Sequence, residues 1–213
     1  MTAQRNNTEA EFDDLRLQEL RANAYSLVGH LLASAPTALT LERLLGIRST
    51  ESETTHNGSG SLAPAWRALR DAATEAEPEQ LAREYHELFV GLGSGEVVPY
   101  ASRYLTGFVN DRPLADLRDD LARLGFERQP DVHEPEDHAA AVCEVMASIV
   151  ADGSPDELDE QQRFFNRHIG PWMQNLFTDL VNAPSARFYR AVGMLGRELV
   201  QVEGRYLGVG AAS

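Results

Sequence analysis

Three glycines at alternate positions, Gly91, Gly93 and Gly95, form the segment of this chain whose pattern is most suggestive of chemistry. Glycine-rich loops bind phosphates through backbone N–H groups, but a dinucleotide fingerprint requires a strand before the loop and a helix directly after it. Here a helical pattern precedes the glycines, and an extended, proline-containing segment follows them. Glu96 would also place a negative charge beside a bound phosphate. The spacing therefore favours a helix C-cap followed by a turn, with nucleotide binding as the alternative.

The histidines and the one cysteine do not show the spacing of a metal site or a catalytic centre. No two histidines have HxxxH or HExxH spacing, and His133 and His138 are five residues apart, which would splay them on a helix. Cys143 alone cannot supply the sulfur ligands of structural zinc, and its apolar helical surroundings indicate a core residue in a protein of a reducing compartment. There is no GxSxG motif and no repeated pair of Glu-x-x-His. We expect no catalytic residue, no metal and no cofactor.

The composition points to an acidic folded protein. Asp and Glu number 33 against 19 Lys and Arg, and the formal net charge is −14. This charge repels nucleic acid and speeds encounter with cationic partners, so we expect no nucleic-acid partner. No run approaches the ~18 consecutive apolar residues of a membrane span, and the first residues contain no apolar secretory region. The expected location is the cytoplasm.

Apolar residues recur with helical spacing along nearly the whole chain, which predicts an all-α fold of roughly eight to ten helices. Stripes of this kind run through residues 17–31, 62–69, 114–124, 172–180 and 188–202. The segment GEVVPY is the best candidate for a strand, but Pro99 argues against a central one.

The stripes and the polar segments between them predict one all-helical domain over residues 11–206. Residues 47–62 are rich in Ser, Thr and Gly and indicate a flexible loop. The proline-containing break over residues 125–135 is a candidate hinge. Residues 1–10 and 207–213 are expected to be flexible tails.

The segment EPEDH at residues 134–138 resembles a helix start. Pro135 suits the first helical turn, and the neighbouring carboxylates suit the positive end of the helix macrodipole. His138 lies seven residues before Val145, on the expected apolar face. Its pattern leaves two readings open: a core histidine with satisfied hydrogen bonds, or a residue of a binding surface.

Three segments together carry a resemblance to a known family. They are EYHELFVGLGSGEVVPYASRYLTG at residues 84–107, EPEDHAAAVCEVM at residues 134–146, and the segment from FFNRHIGPW to LVQVE at residues 164–203. In order and spacing they resemble motifs of the TorD family, over most of the chain from Leu15 to Glu203. One departure concerns the turn, where Leu92 replaces the proline of a common Gly-Pro-Gly pattern.

This resemblance implies a compact multi-helix fold and a cytoplasmic chaperone dedicated to molybdenum-cofactor oxidoreductases. Members of the family bind the N-terminal twin-arginine signal of the precursor and hold back export until the cofactor is inserted. Some members form homodimers by swapping domains, and weak GTP binding has been suggested for relatives. The alternatives for this chain are therefore a weak nucleotide-binding protein or a helical adaptor without a role in signal-peptide binding.

The resemblance and the residue chemistry together define an expected client-binding surface. Arginines pair with carboxylates through charge-assisted, often bidentate hydrogen bonds, and the apolar part of a signal peptide requires an apolar groove. Tyr and Trp suit the edge of such a groove, because their polar groups seek partners. The candidate residues are Tyr85, Phe89, Pro99, Tyr100, Ser102, Tyr104, Glu134, Pro135, Asp137, His138 and Trp172.

Overall fold

Ten α-helices and one π-helical turn form the part of the chain that the computed structural model describes, which is residues 2–47, 62–91, 94–128, 133–152 and 157–208. In chain order they are α1 (Thr2–Ala33), α2 (Ala38–Gly46), α3 (Ala63–Thr74), α4 (Pro78–Tyr85), the π-helical turn (His86–Val90), α5 (Ala101–Thr106), α6 (Arg112–Arg123), α7 (Ala139–Ala151), α8 (Glu157–His168), α9 (Met173–Asn182) and α10 (Phe188–Tyr206). The described residues contain no strand, only an isolated antiparallel bridge between Tyr100 and His138. The expected all-α class is confirmed.

Helix α7 is the central helix of the core. Its buried residues occur on nearly every side of the helix, from Ala139 and Val142 to Met146 and Val150, as expected for a helix that neighbours enclose. It packs against α1 and α8. Cys143 lies on this helix and is buried and unpaired, as its apolar surroundings predict.

Helices α9 and α10 form the second part of the core, and their apolar stripes are buried as predicted. Trp172, Leu176, Phe177 and Leu180 are buried on and just before α9. Helix α10 packs against α9, α3, α1 and α4. The contact with α9 is close enough to require glycine, because a Cβ on Gly196 would lie 2.2 Å from Cε1 of Phe177.

A buried ion pair joins α1 to α10. The guanidinium of Arg21 donates to the Glu203 carboxylate from Nε at 2.8 Å and from Nη2 at 2.7 Å. The guanidinium also lies 4.1 Å from the ring centroid of Tyr206. Burial would lower the pKa of Arg21, but the hydrogen bond and charge of Glu203 raise it overall. The buried guanidinium of Arg21 therefore has a carboxylate partner in the interior, without which its burial would be costly.

Parts of the expected pattern differ from the structure. Leu17 and Leu20 belong to the stripe of α1 but are exposed, and the buried face of this helix begins near Arg21. Helix α1 starts at Thr2, within the segment expected to be a flexible tail. Helix α7 begins at Ala139 rather than near Pro135. Residues 48–61 of the expected loop, 129–132 of the expected hinge and 209–213 of the expected tail lie outside the described residues, so those expectations stay predictions.

The close contact between α9 and α10 yields a test with a matched control on the same helix. Gly196→Ala forces the buried Phe177 ring to move and should lower the free energy of unfolding by about 1–3 kcal/mol. Gly204→Ala is the control, because the nearest atom to its added Cβ is 3.7 Å away. It should be neutral, or stabilising by up to about 1 kcal/mol through helix propensity. Urea unfolding measures both, and equal stability of the two variants would contradict the packing.

Candidate functional site

The candidate site is built where the chain crosses itself between residues 99–102 and 137–139. The backbone N–H of Ala101 donates to the Asp137 carbonyl at 2.9 Å, and the N–H of Ala139 donates to the Pro99 carbonyl at 2.8 Å. These two bonds place Tyr100 beside His138 in an antiparallel bridge. The crossing therefore brings together two segments that are more than thirty residues apart in the sequence and that both carry predicted site residues.

Asp137 secures this crossing with its side chain. Its Oδ2 accepts hydrogen bonds from the Ser102 backbone N–H at 2.9 Å and from the Ser102 hydroxyl at 2.6 Å. The carboxylate thereby satisfies a free N–H at the start of α5, as a capping group does. Both residues are 0% exposed. Both side chains are enclosed within the chain, where they hold the two segments of the crossing together.

His138 is the N-cap of α7. The sequence pattern instead predicts that this residue lies within the helix, on its apolar face. Its Nδ1 accepts a hydrogen bond from the Ala140 N–H at 3.1 Å, so Nδ1 carries no proton in this arrangement. The ring is nearly buried and meets the Tyr100 ring edge to face, with 5.1 Å between centroids. Burial lowers the pKa of His138, against the opposing charges of Glu134 and Asp137.

Glu134 and Tyr100 form a hydrogen bond at the surface beside His138. The Tyr100 hydroxyl donates to Oε1 of Glu134, which is exposed. Burial and then this hydrogen bond raise the pKa of Tyr100. The tyrosine thus stays protonated and holds the carboxylate next to the crossing.

A largely apolar groove opens beside this cluster, between α6 and α7. We call it the α6–α7 groove, and its cavity has a volume of about 640 Å³. Its size falls within the range of ligand-binding clefts. The groove is lined by Ala33, Tyr85, Arg118, Leu121, Ala122, Phe126, Glu127, Arg128, Glu134, Pro135, Glu136, His138, Ala140, Ala141, Glu144, Val145 and Ser148.

The charged residues of the groove are mostly acidic. Four glutamates, at 127, 134, 136 and 144, outnumber two arginines, Arg118 and Arg128. Glu136 accepts from Arg118 at 2.8 Å and lies 3.5 Å from Arg128. Burial would raise the pKa of Glu136, but the hydrogen bond from Arg118 lowers it overall. An apolar floor with an acidic edge suits a ligand that carries both apolar and cationic groups.

Comparison with known proteins identifies the family. The family model described as nitrate reductase delta subunit matches residues 58–178. The chain belongs to this family. It is also similar to the chaperone protein TorD of Vibrio atlanticus, at 26% identity over 92% of this chain and 98% of that protein. TorD of Shewanella loihica is 26% identical over 92% of this chain and 97% of its own length.

A solved structure agrees in fold. The crystal structure of a protein assigned to redox enzyme maturation from Archaeoglobus fulgidus covers 87% of this chain and 94% of its own, with a TM-score of 0.56 at 17% identity. At this identity the similarity establishes the fold alone. The resemblance to the TorD family that the three segments indicate is confirmed by the family model and the sequence relatives, and the expected fold agrees with the solved structure.

The structure brings only some of the candidate residues to the groove of this family member. Tyr85, Glu134, Pro135 and His138 line it directly, and Tyr100 contacts two of these four. Tyr85 is half-buried, and its hydroxyl donates to the carbonyls of Leu32 and Ala33 at the end of α1. These residues form the part of the expected surface that a ligand in the groove can reach.

The remaining candidates lie elsewhere or are enclosed. Phe89 packs against the Tyr189 ring, with 5.3 Å between centroids, and Pro99 is buried at the crossing. Trp172 is buried, and its Nε1 donates to the His168 carbonyl at 2.7 Å. Tyr104 is half-buried, stacks near Trp172 and donates to Asp179. Neither these residues nor Asp137 and Ser102 line the groove.

Several lining residues did not emerge from the sequence. Leu121 belongs to the predicted stripe of α6, but its groove side is apparent only once α6 packs beside α7. Phe126, Glu127 and Arg128 fall in the segment expected to be a hinge. Arg118 lies one helical turn before Ala122 on α6, a spacing that could have marked it as a groove residue.

The residues that flank Leu92 and Gly93 fold back on the π-helical turn before them. Gly91 has φ of 57°, and a Cβ on Gly95 would lie 2.3 Å from the Leu88 carbonyl oxygen. The Val97 N–H donates to that same carbonyl at 2.8 Å. Glu96 accepts from the Ser185 hydroxyl at 2.6 Å. This geometry favours the turn interpretation over a phosphate site; Leu92 and Gly93 lie outside the described residues.

Cys143 lies in the core, away from solvent. Burial raises the pKa of the Cys143 thiol to about 12, so the group is not poised as a nucleophile. Within the ranges that the structure describes, no set of three or more His, Cys, Asp or Glu residues is arranged to hold a metal ion. In the same ranges, no helix has both the length and the apolarity needed to span a bilayer.

The capping contact of Asp137 predicts a loss of stability when the carboxylate is removed. Asp137→Ala leaves the buried Ser102 N–H and hydroxyl without their acceptor, at a cost of about 1–3 kcal/mol for each unsatisfied group. Ser102→Ala keeps the backbone bond and should cost only about 1 kcal/mol. Chemical denaturation compares the two, and an Asp137→Ala variant as stable as the wild type would contradict the positioning role.

The capping contact of His138 predicts a pH dependence. The pKa of His138 is lowered in the folded state, so its stabilising contribution is present above the unfolded value of 6.5 and is lost as pH falls towards the folded pKa. His138→Asn keeps a capping acceptor but does not titrate. The stability advantage of the wild type over His138→Asn should therefore shrink from pH 7.5 to pH 5.5.

Thermal melts across this pH range measure the difference between the two proteins. His168 also has a lowered pKa in the folded state, because of burial opposed by Asp120, but it is present in both proteins and its effect cancels in the comparison. If the stability difference between the two proteins did not change with pH, the pKa of His138 would be the same in the folded and unfolded states.

Proposed function

We propose that this protein is a cytoplasmic chaperone that binds the twin-arginine signal of a molybdenum-cofactor oxidoreductase precursor and assists cofactor insertion before export. The observation that carries the proposal is the α6–α7 groove, an apolar cleft whose edge bears four glutamates. The TorD relatives, which are named chaperones, support the same conclusion. The protein acts by binding, and its groove residues need no catalytic chemistry.

The two parts of a twin-arginine signal match the two parts of the groove. Leu121, Phe126 and Val145 offer an apolar floor for the apolar stretch of the signal. Glutamates at the edge offer acceptors for adjacent guanidinium groups, whose hydrogen bonds to carboxylates are stronger than neutral ones. The formal charge of −14 adds long-range attraction for a cationic peptide and disfavours nucleic acid.

The alternatives have less support. For nucleotide binding, the turn at residues 91–96 would have to offer free N–H groups. Gly91 and Glu96 instead donate theirs to the carbonyls of His86 and Glu87 in the π-helical turn. A helical adaptor without peptide binding leaves the acidic edge of an apolar cleft unexplained. The homodimer formed by domain swapping, which the family resemblance implies, stays a prediction.

Isothermal titration of the full chain tests the proposal. The probe is a synthetic peptide with two adjacent arginines followed by an apolar helical stretch, and the comparison peptide has glutamine in place of both arginines. We expect the arginine peptide to bind about tenfold or more tightly than the glutamine peptide, because charge-assisted bonds are lost. Association should slow as salt rises, because salt screens exposed charges beyond about 8–10 Å. GTP should give no heat.

Two substitutions locate the binding surface. Val145→Asp places a charge on the groove floor and should weaken peptide binding by about tenfold or more. Phe108→Asp makes the same kind of change at a residue that is 72% exposed and lies outside the groove, and it should leave affinity unchanged. If Phe108→Asp abolished binding while Val145→Asp did not, the client surface would lie elsewhere.

A further inference from the structure

The solvent-facing side of α10 is basic in a protein that is acidic as a whole. Most of the helix is enclosed by its neighbours, and its large apolar side chains, such as Leu195 and Leu199, are buried. The other side is a stripe with helical spacing, which we call the α10 stripe. It consists of Arg187 at the N-cap, Arg190, Met194, Arg197, Glu198, Gln201 and Arg205. Four arginines thus share this stripe with one glutamate, although the formal net charge of the protein is −14.

The four arginines of the stripe have no role in holding the described part of the fold together. Within that part, none of their guanidinium groups forms an ion pair or a side-chain hydrogen bond. Arg21, Arg118 and Arg123, by contrast, each bind a carboxylate of another helix or segment. Three of the four stripe arginines are exposed, and Arg197 is half-buried. Their donor groups are therefore available to an anion from outside the chain.

We propose that the α10 stripe is a docking surface for an acidic protein segment, separate from the α6–α7 groove. All 19 basic residues of the chain are arginines, and the planar guanidinium group matches the geometry of a carboxylate better than an ammonium group does. Arg197 follows Arg190 by seven residues and precedes Arg205 by eight, which places these arginines about 10–12 Å apart along the axis. A partner helix with a carboxylate at every second turn matches this spacing.

The composition of the stripe favours a protein segment over a membrane or a nucleic acid. Helices that lie on a membrane carry bulky apolar residues beside their cations, whereas Met194 is the one apolar residue of the stripe and is half-buried. A bilayer or a duplex is also an extended anionic surface, so it would face the acidic remainder of the molecule as well as the stripe. A short acidic segment meets the stripe alone, because charges beyond about 8–10 Å are screened at physiological salt.

Fluorescence anisotropy with labelled helical peptides tests the inference on the full chain. The probe peptide carries glutamate at every seventh position, and two comparison peptides carry either the same glutamates side by side or glutamine in their place. We expect the spaced peptide to bind most tightly. Arg190→Gln combined with Arg197→Gln should weaken its binding about three- to tenfold, as suits the loss of two exposed ion pairs, and higher salt should weaken it further.

The matched control removes the same charge elsewhere. Arg43→Gln combined with Arg112→Gln changes two exposed arginines on α2 and α6, and it should leave binding of the spaced peptide unchanged. Val145→Asp in the α6–α7 groove should also leave it unchanged, because none of the stripe residues lines that groove. Thermal melts of each variant check that these surface changes leave the fold intact.

Three results would overturn the inference. The first is a wild type that binds the spaced peptide no more tightly than the glutamine peptide. The second is an equal loss of affinity in the two double variants, which would mean that only total charge matters. The third is tighter binding, dependent on Arg190 and Arg197, to phosphatidylglycerol vesicles or to duplex DNA than to the spaced peptide. None of these results bears on the proposed function, which is tested with the twin-arginine peptide.

Discussion

The contact between Asp137 and Ser102 is the constraint on which the rest of the site depends. One buried carboxylate accepts both the N–H and the hydroxyl of Ser102, and two backbone bonds beside it hold the crossing of the chain in register. Without this crossing, Tyr100 and Glu134 would not be neighbours, and α7 would lose the register that places its N-cap histidine at the groove. A buried polar contact of this kind adds little net stability when satisfied and costs much when broken, so its main effect is to specify one arrangement of the two segments.

The groove beside the crossing reconciles two opposing requirements. An apolar floor favours enclosure, while carboxylates favour solvent, because burial of an unpaired charge is costly. The structure places the apolar and the charged side chains at different depths in the groove. Leu121 and Val145 are partly buried, whereas Glu134 and Glu144 remain exposed. Glu136 is the exception, since it is largely enclosed and is compensated by arginines of the same chain. The lowered pKa of Glu136 follows from this compensation, which keeps that carboxylate charged at neutral pH.

Helical periodicity predicted the fold class and the buried faces of α9 and α10, because a regular stripe on a helix has one way to be buried. Periodicity was less informative where tertiary contacts determine which residues are buried and where a helix begins. Leu17 and Leu20 continue the stripe of α1 yet are exposed, since α1 extends past the helices that cover its second half. The start of α7 was placed too early because Pro135 and its acidic neighbours resemble a first turn, whereas His138 provides the actual cap. The groove could not be predicted in full, because the lining side chains of α6 and the 126–128 segment meet those of α7 only in three dimensions.

The acidic residues of the three segments that resemble TorD-family motifs have roles that their sequence pattern does not distinguish. Glu84 accepts from the backbone N–H groups of Arg187, Phe188 and Tyr189, so it caps α10 from the first segment. Glu96 accepts from Ser185 in the same region, and Asp137 caps α5. Each of these carboxylates forms a hydrogen bond between two of the three segments. Because the donor and the acceptor of each contact lie in different segments, the three motifs are specific together although each is weak alone. The acid available to a ligand is therefore smaller than the net charge suggests, and part of it lies at the edge of the α6–α7 groove, at Glu127, Glu134 and Glu144.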